Sequence, residues 1–339
     1  MFKKKLSFIV IGCFLFSLLL VGAGASPVKA VELTYSTFFP APHIQAVLAV
    51  EWAKEVEKRT NAAVKVTVFP GGTLTPANQC YDGVVKGISD IGMSVLSYTP
   101  GRFPLMEVID MPLGYKNGAQ ATRLINAFYK KFQPKELDDT KVMFLMDHGP
   151  GLVNTKKPAN KLEDLKGMKI RCTGTSSKVV THLGATPVAM PQTEAYDALQ
   201  KGVVDGVMSP IETAKGWKFA EVVKYHTMNY GSAYSLGFFV VMNKQKWNAL
   251  PKDLQAAMEK LNQEWIEKSA RAWDQSDKEG IDHTKSKGNQ IITLSKQEEE
   301  RWAKLVSPIL NEYVTAMKGK GLPGEEALKF CQEWLKSNQ

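Results

Sequence analysis

Cysteine is scarce, four in 339 residues. Cys13 lies in an apolar N-terminal run, and Cys80, Cys172 and Cys331 are far apart. Three later cysteines allow at most one bridge, and no CxxC spacing occurs, which excludes a disulfide scaffold, a zinc ribbon and a redox dithiol. Small buried apolar thiols are expected instead. Histidine is also scarce. His43, His148, His182, His226 and His283 form no HExxH pair, so a zinc protease is unsupported. The GxSxG elbow, the GxxxxGK[ST] phosphate loop and the GxGxxG fingerprint are all missing. Gly174-Thr175-Ser176-Ser177-Lys178 lacks the phosphate-loop spacing. Asp147-His148 is no working base pair, because neighbours on a strand point to opposite faces. No catalytic residue, metal site or cofactor is expected.

A concentrated charge of one sign is missing as well. Lys+Arg 43 against Asp+Glu 34 gives +9. Residues 1–30 hold Lys3, Lys4, Lys5 and Lys29 and no acid, so outside them the excess falls to five, thinly spread. A nucleic-acid binder gathers its charge in one patch, and no such partner is expected.

What is present begins with an address. Lys3, Lys4 and Lys5 precede an apolar run from Leu6 to Val21, followed by small residues. This is the pattern of a secretory signal peptide over residues 1–30, with cleavage expected after Ala30. Two other readings stay open: an uncleaved anchor, since ~18 apolar residues can span a bilayer, and acylation at Cys13. The remaining chain is ordinary for a soluble globular protein, hydrophobic 44% and charged 23%, and long enough for two domains at roughly 100–200 residues each.

Strand and helix patterns alternate after residue 30. Val31–Phe38 is strand-like. Ile44, Val47, Leu48, Trp52 and Val56 recur at helical spacing over His43–Thr60. Val64, Val66 and Val68 alternate with Lys65 and Thr67, and Pro70-Gly71-Gly72 ends that strand. A short helix near Ala77–Lys86 and a strand over Ile88–Val95 follow. The pattern restarts after Gly149-Pro150-Gly151 with strand Met168–Cys172, helix Ser176–Leu183, strand Thr186–Met190, helix Thr193–Lys201 and strand Val204–Met208. This order predicts two α/β lobes with largely parallel sheets. Pro251 opens a helix reaching about Lys287, long enough at ~1.5 Å per residue to cross both lobes. Two more helices, Lys296–Lys318 and Glu325–Lys336, close the chain.

Residues 161–210 carry a resemblance. The blocks Leu162-Glu163-Asp164-Leu165-Lys166-Gly167-Met168-Lys169-Ile170-Arg171, Gly184-Ala185-Thr186-Pro187-Val188, Glu194-Ala195-Tyr196-Asp197-Ala198-Leu199-Gln200 and Gly202-Val203-Val204-Asp205-Gly206 resemble those of the DctP-type solute-binding proteins of TRAP (tripartite ATP-independent periplasmic) transporters. With weaker matches elsewhere, the resemblance covers essentially residues 31–335. It implies a two-lobed periplasmic-binding-protein fold of type II-like α/β class, with a long helix bridging the lobes. Lobe I is expected over 31–147 plus 237–275, and lobe II over 148–236 plus 276–339. It also implies a non-enzymatic, monomeric, periplasmic receptor that captures a small organic acid and delivers it to TRAP membrane subunits. An enzyme or sensor on the same scaffold, or a receptor for another transporter type, are the rivals, since fold does not settle function.

The residues agree on one anchor. Arg171 ends a strand beside the helix start at Thr175-Ser176, and its planar fork matches a carboxylate. Phe39, His43, Tyr98, Thr173, Ser209, Glu212, Tyr234 and Phe238 are expected to complete the site, with Phe38 and Trp217 among its aromatics. Two positions depart from the family. Gly151 falls nearest a second arginine common in it, and Ser209 replaces an asparagine before Pro210. Fewer polar anchors and more aromatics point to a monocarboxylate with an apolar or aromatic body.

Overall fold

A computed structural model describes residues 30–338, so the expected signal peptide lies, but for its last residue, outside the described residues. In chain order come β1 (Val31–Thr37), α1 (Ile44–Arg59), β2 (Val64–Phe69), α2 (Cys80–Val85), β3 (Ile91–Val95), α3 (Gly118–Phe132) and β4 (Thr140–Asp147). The chain then builds β5 (Leu152–Thr155), β6 (Lys169–Cys172), α4 (Ser176–His182), β7 (Thr186–Ala189), α5 (Gln192–Gln200), β8 (Gly206–Ser209), α6 (Thr213–Gly216) and β9 (Tyr225–Met228). It ends with β10 (Gly237–Asn243), α7 (Lys244–Ala249), α8 (Lys252–Ser286), β11 (Gln290–Thr293), α9 (Lys296–Val306), α10 (Pro308–Gly319) and α11 (Gly324–Ser337).

Two sheets result, ordered β2-β1-β3-β10-β4 and β11-β9-β5-β8-β6-β7. They are mixed rather than wholly parallel. β10 runs antiparallel to β3 and β4, and β5 antiparallel to β8 and β9. The reason is the path of the chain. β4 ends at the cleft and β5 starts there, while β9 ends near the cleft and β10 starts there. A strand entering a sheet from the other lobe therefore runs away from the cleft, against its neighbours. As a consequence, the carboxyl ends of the remaining strands converge on the cleft, where open α/β sheets bind ligands.

Local chemistry explains the principal elements. In α1, Nδ1 of His43 accepts from the Gln45 backbone N–H as an N-cap, and Gln45, Ala46, Leu48, Ala49, Trp52, Ala53 and Val56 form the buried face. Trp52 is fully buried and its indole N–H donates to Asn262 of α8 at 3.0 Å. α8 packs on α1, α3 and β4 at one end and on α6 and β11 at the other. Its 35 residues span about 50 Å, bridging the lobes as the sequence pattern predicts. Three expectations shift. The strand expected from Ile88 starts at Ile91, because Asp90 turns to accept from the Thr34 backbone and hydroxyl. The helix expected over Lys296–Lys318 breaks into α9 and α10, with Pro308 opening the second. The last helix, α11, packs against α3, so the end of the chain sits on the first lobe. Cys80, Cys172 and Cys331 are free and buried.

The lobes touch at Gly174. Its φ is +52°, and a Cβ there would lie 2.5 Å from Cβ of Ser97 and 3.5 Å from Oδ2 of Asp110, both on the other lobe. Gly174→Ala should therefore force the lobes apart, because opening the cleft relieves the overlap while the left-handed backbone alone costs only about 1–2 kcal/mol. Small-angle scattering with ligand should show the wild-type radius of gyration contracting and that of Gly174→Ala remaining larger. Equal contraction in both would count against a closing contact here.

Candidate functional site: a cavity at the strand ends

A cavity of about 350 Å³ lies between the lobes, lined by Phe38, Phe39, Val95, Tyr98, His148, Arg171, Gln192, Ser209, Pro210, Glu212, Thr213, Trp217, Tyr234, Leu236, Phe238 and Trp273. Nearly all of these sit at or just past a strand end. Phe38 and Phe39 follow β1, Tyr98 follows β3, His148 follows β4, Gln192 follows β7 and Pro210 to Thr213 follow β8. Only about 30 Å³ of this space is free for a water-sized group, far below the ~300–1,000 Å³ typical of ligand cavities.

Arg171, on β6, is 2% exposed. Its Nε and Nη2 donate to the Met190 carbonyl at 3.0 and 2.7 Å, and Nη1 donates to Oε1 of Gln192 at 2.7 Å. Three of the five guanidinium donors are thus used to fix the plane. No carboxylate pairs with Arg171 among the described residues. Gln192 is held in turn by its backbone N–H, which donates to the Tyr98 hydroxyl at 3.0 Å. Nε2 of Gln192 is buried with no partner among the described residues. The remaining Arg171 donors, the Gln192 amide and the Tyr98 proton form a donor-rich corner suited to an anion. Burial raises the Tyr98 pKa, against the pull of Arg171.

The other walls are aromatic. Phe38 stacks on Phe39 at 4.3 Å and lies 6.0 Å from Trp217 and 6.4 Å from Phe238. Phe238 lies 5.4 Å from Trp273. Tyr234 donates its hydroxyl to the Met208 carbonyl at 2.9 Å. Its ring covers Gly151, where a Cβ would sit 2.1 Å from a ring carbon. Ser209 shares a 2.9 Å hydroxyl contact with Thr213 and accepts from Asn154.

Two expected residues stand elsewhere. His43 does not line the cavity; it stacks behind Phe39 at 4.3 Å, and its Nε2–H donates to Glu212 at 3.2 Å. That leaves it supporting two lining residues. Thr173 is also outside, because its backbone N–H is taken by the Ser176 hydroxyl at 2.9 Å. The start of α4 likewise lines a neighbouring 660 Å³ cavity at the cleft mouth, with Ser97, Asp110 and Lys178, rather than the Arg171 cavity. His148, Gln192, Leu236, Val95 and Trp273 were not anticipated. The first four flank strands, β4, α5's preceding β7, β10 and β3, and a rule assigning lining residues to strand ends would find them. Trp273 continues the helical spacing of Leu261 and Trp265 and looks like core.

Three buried groups are electrostatically displaced. Burial, helped by a smaller repulsion from Arg171 and opposed by backbone contacts, lowers His148 to about 4, so its ring is neutral. Burial raises Asp110 to about 8, against the donor Gly237 N–H, and raises Asp277 to about 8 beside Glu212.

The model of the bacterial extracellular solute-binding proteins, family 7 (DctP), matches residues 35–316. The chain belongs to this family. The chain is similar to the 2,3-diketo-L-gulonate-binding periplasmic protein of Escherichia coli K12, 28% identical over 295 residues, 85% of this chain and 88% of that one. A TRAP periplasmic solute-binding protein of Desulfovibrio salexigens, solved as an open complex, is 35% identical with a TM-score of 0.79, over 90% of this chain and 95% of that one. A TRAP solute-binding protein of Rhodoferax ferrireducens, solved with copurified benzoate, is 28% identical with a TM-score of 0.86, over 91% and 98%. This DctP-type chain thus has the two-lobed TRAP receptor fold.

The raised Asp110 sets a pH dependence for the family 7 fold. A carboxyl with a folded value of about 8 and an unfolded value of about 3.9 contributes stability that is complete below ~4 and is lost as pH rises to 8. Asp110→Asn keeps an oxygen for Gly237 N–H. Urea unfolding from pH 5 to 8 should show the variant gaining on wild type, by up to about 1.4 kcal/mol per unit. Parallel curves would mean that Asp110 is ionised in the fold.

Proposed function

We propose that this chain is an exported TRAP receptor for a small aromatic or apolar monocarboxylate, which it closes upon between its lobes and hands to the transporter's membrane subunits. The observation that carries this reading is the buried Arg171 guanidinium, held only by uncharged partners and facing aromatic walls. A buried charge without a counter-charge is strongly unfavourable, and an arriving carboxylate relieves it.

Charge counting selects the ligand. Arg171 is the one Lys or Arg among the described lining residues, and Glu212 adds an acid. Arg171 is thus the one lining cation that an arriving carboxylate can meet, and a dianion would bury a further negative charge with no cation to pair it. The benzoate found in the Rhodoferax ferrireducens relative is of the favoured class. Phe39, Tyr98, Tyr234 and Phe238 would enclose the body, Ser209 leaves it room, and Glu212 faces its far side with His43 behind. The lobes would divide at residues 147–148 and 236–237, where the chain crosses the cleft. The relatives are receptors rather than enzymes, and a ligand recovered unchanged after saturable binding would separate this reading from turnover on the same scaffold.

Calorimetry tests the clamp. Arg171→Ala should weaken benzoate or phenylacetate binding about 10²–10³-fold. Arg171→Lys should also lose most of the affinity, because an ammonium keeps the charge without the fork. Succinate and sugar acids should bind more weakly than the aromatic acids. Undiminished binding in Arg171→Ala removes the residue from the site, and succinate binding best ends the monoacid reading.

Export with cleavage is the accompanying proposal. N-terminal analysis of exported protein should begin at Val31, and a lipid on Cys13 would instead tether the receptor to a membrane.

A further inference from the structure

His43 stands outside the cavity, yet side chains that line the cavity surround its ring. Phe39, from the loop after β1, stacks on it at 4.3 Å. Trp217, just past α6, and Trp273, on α8, have ring centroids 5.9 and 6.0 Å away. Glu212, after β8, places Oε2 3.2 Å from its Nε2. His43 and Glu212 are both buried. β1 belongs to one sheet and β8 to the other. A single imidazole therefore sits where the two lobes and the bridging helix meet.

The proton on this ring has a fixed place. Nδ1 accepts from the Gln45 backbone N–H at 3.2 Å, as the N-cap of α1. A ring nitrogen that accepts carries no proton, so the proton sits on Nε2, where the Glu212 carboxylate receives it. Backbone of the first lobe thus aims the donor. Glu212 is anchored from the other side, because its own backbone N–H donates to Oδ1 of Asp277 on α8 at 3.2 Å. Gly216 gives the pair its room: a Cβ there would lie 2.9 Å from Cδ2 of His43 and 2.5 Å from Oε2 of Glu212. The series Gln45, His43, Glu212, Asp277 runs from α1 across to α6 and α8. Its middle bond joins the lobes, and widening the cleft at this point breaks it.

We infer that His43 is a positioning residue that holds the closed cleft: Nε2–H fixes Glu212 of the second lobe while the ring face backs Phe39 of the first. Both walls are then set by one side chain that is not itself part of the lining. Hydrogen bonds to a carboxylate are the stronger kind, and burial shields this one from water. Its effect falls on release rather than on arrival. Ligand enters an open cleft before the bond exists, and leaves a closed one only after the bond is broken. This rests on the reading above of a receptor that closes on a monoacid.

His43→Asn separates the two duties of the residue. Asparagine is a strong N-cap, so α1 keeps its end, but its shorter side chain has no second nitrogen aimed at Glu212. In stopped-flow measurements, His43→Asn should release benzoate about 10–100-fold faster, with association within about threefold of wild type. In a double-mutant cycle the same substitution should cost less than about threefold in a Glu212→Ala background. Unchanged release overturns the inference. So does a loss confined to association, or an equal loss in both backgrounds, which would reduce the ring to packing. If His43→Asn fails to fold, Gly216→Ala disturbs the same pair from the second lobe and should also speed release; unchanged release there overturns the inference as well. If wild-type protein binds no benzoate, the monoacid reading fails, and the contact is judged on the ligand-free protein. Scattering should then give wild type a smaller radius of gyration than His43→Asn, and equal radii overturn the role of His43.

Discussion

A guanidinium buried without a counter-charge is the constraint around which this protein is arranged. Left alone in a low-dielectric interior, it would cost several kcal/mol. Here the cost is partly offset by neutral acceptors, the Met190 carbonyl and the Gln192 amide, which fix the plane without cancelling the charge. Gln192 is in turn positioned by the Tyr98 hydroxyl on the opposite lobe. The charge-bearing strand belongs to one lobe and its outermost support to the other. On the proposed reading affinity and lobe closure would be coupled, since a carboxylate would stabilise the same arrangement that assembles its donors.

The topology makes this coupling possible. Both sheets aim most of their strand carboxyl ends at one cleft, and the strands that break the direction, β5 and β10, are those that enter from the other lobe. Loops from both lobes can then meet on a small cavity while the sheets stay intact. α8 adds a third connection, carrying Trp273 into the cavity wall from a helix anchored in the first lobe by Trp265 and Leu261.

Strands β1 to β3 and β6 to β8 and helix α8 were legible because there periodicity and packing coincide. The alternation in Val64–Val68 gave β2, and the long apolar stripe from Leu254 onward gave α8. Strands β4, β5, β9, β10 and β11 were less legible. β4 and β10 read as near-continuous apolar runs, Val142 to Met146 and Phe238 to Met242, which lack an alternating pattern because both faces are covered. β9 and β11 are only four residues each. In the site, a charge in a strand made Arg171 visible, and loop aromatics made Phe39, Tyr98 and Phe238 visible. His148 was hidden because it follows β4, a strand that the pattern did not reveal. Thr173 lies outside the lining, with its backbone donor taken by the Ser176 hydroxyl.

Gly151 and the Tyr234 ring above it occupy one volume between them. An arginine introduced at 151 collides with the ring. Replacing Tyr234 by a small residue first removes a wall of the cavity and leaves a void in the second lobe. Either change alone yields a poorer receptor, and only both together supply a second cation. On the proposed monoacid reading, a lineage carrying this pair would be separated from dianion recognition by a valley two mutations wide, its ligand charge held by steric interdependence as much as by selection for the ligand itself.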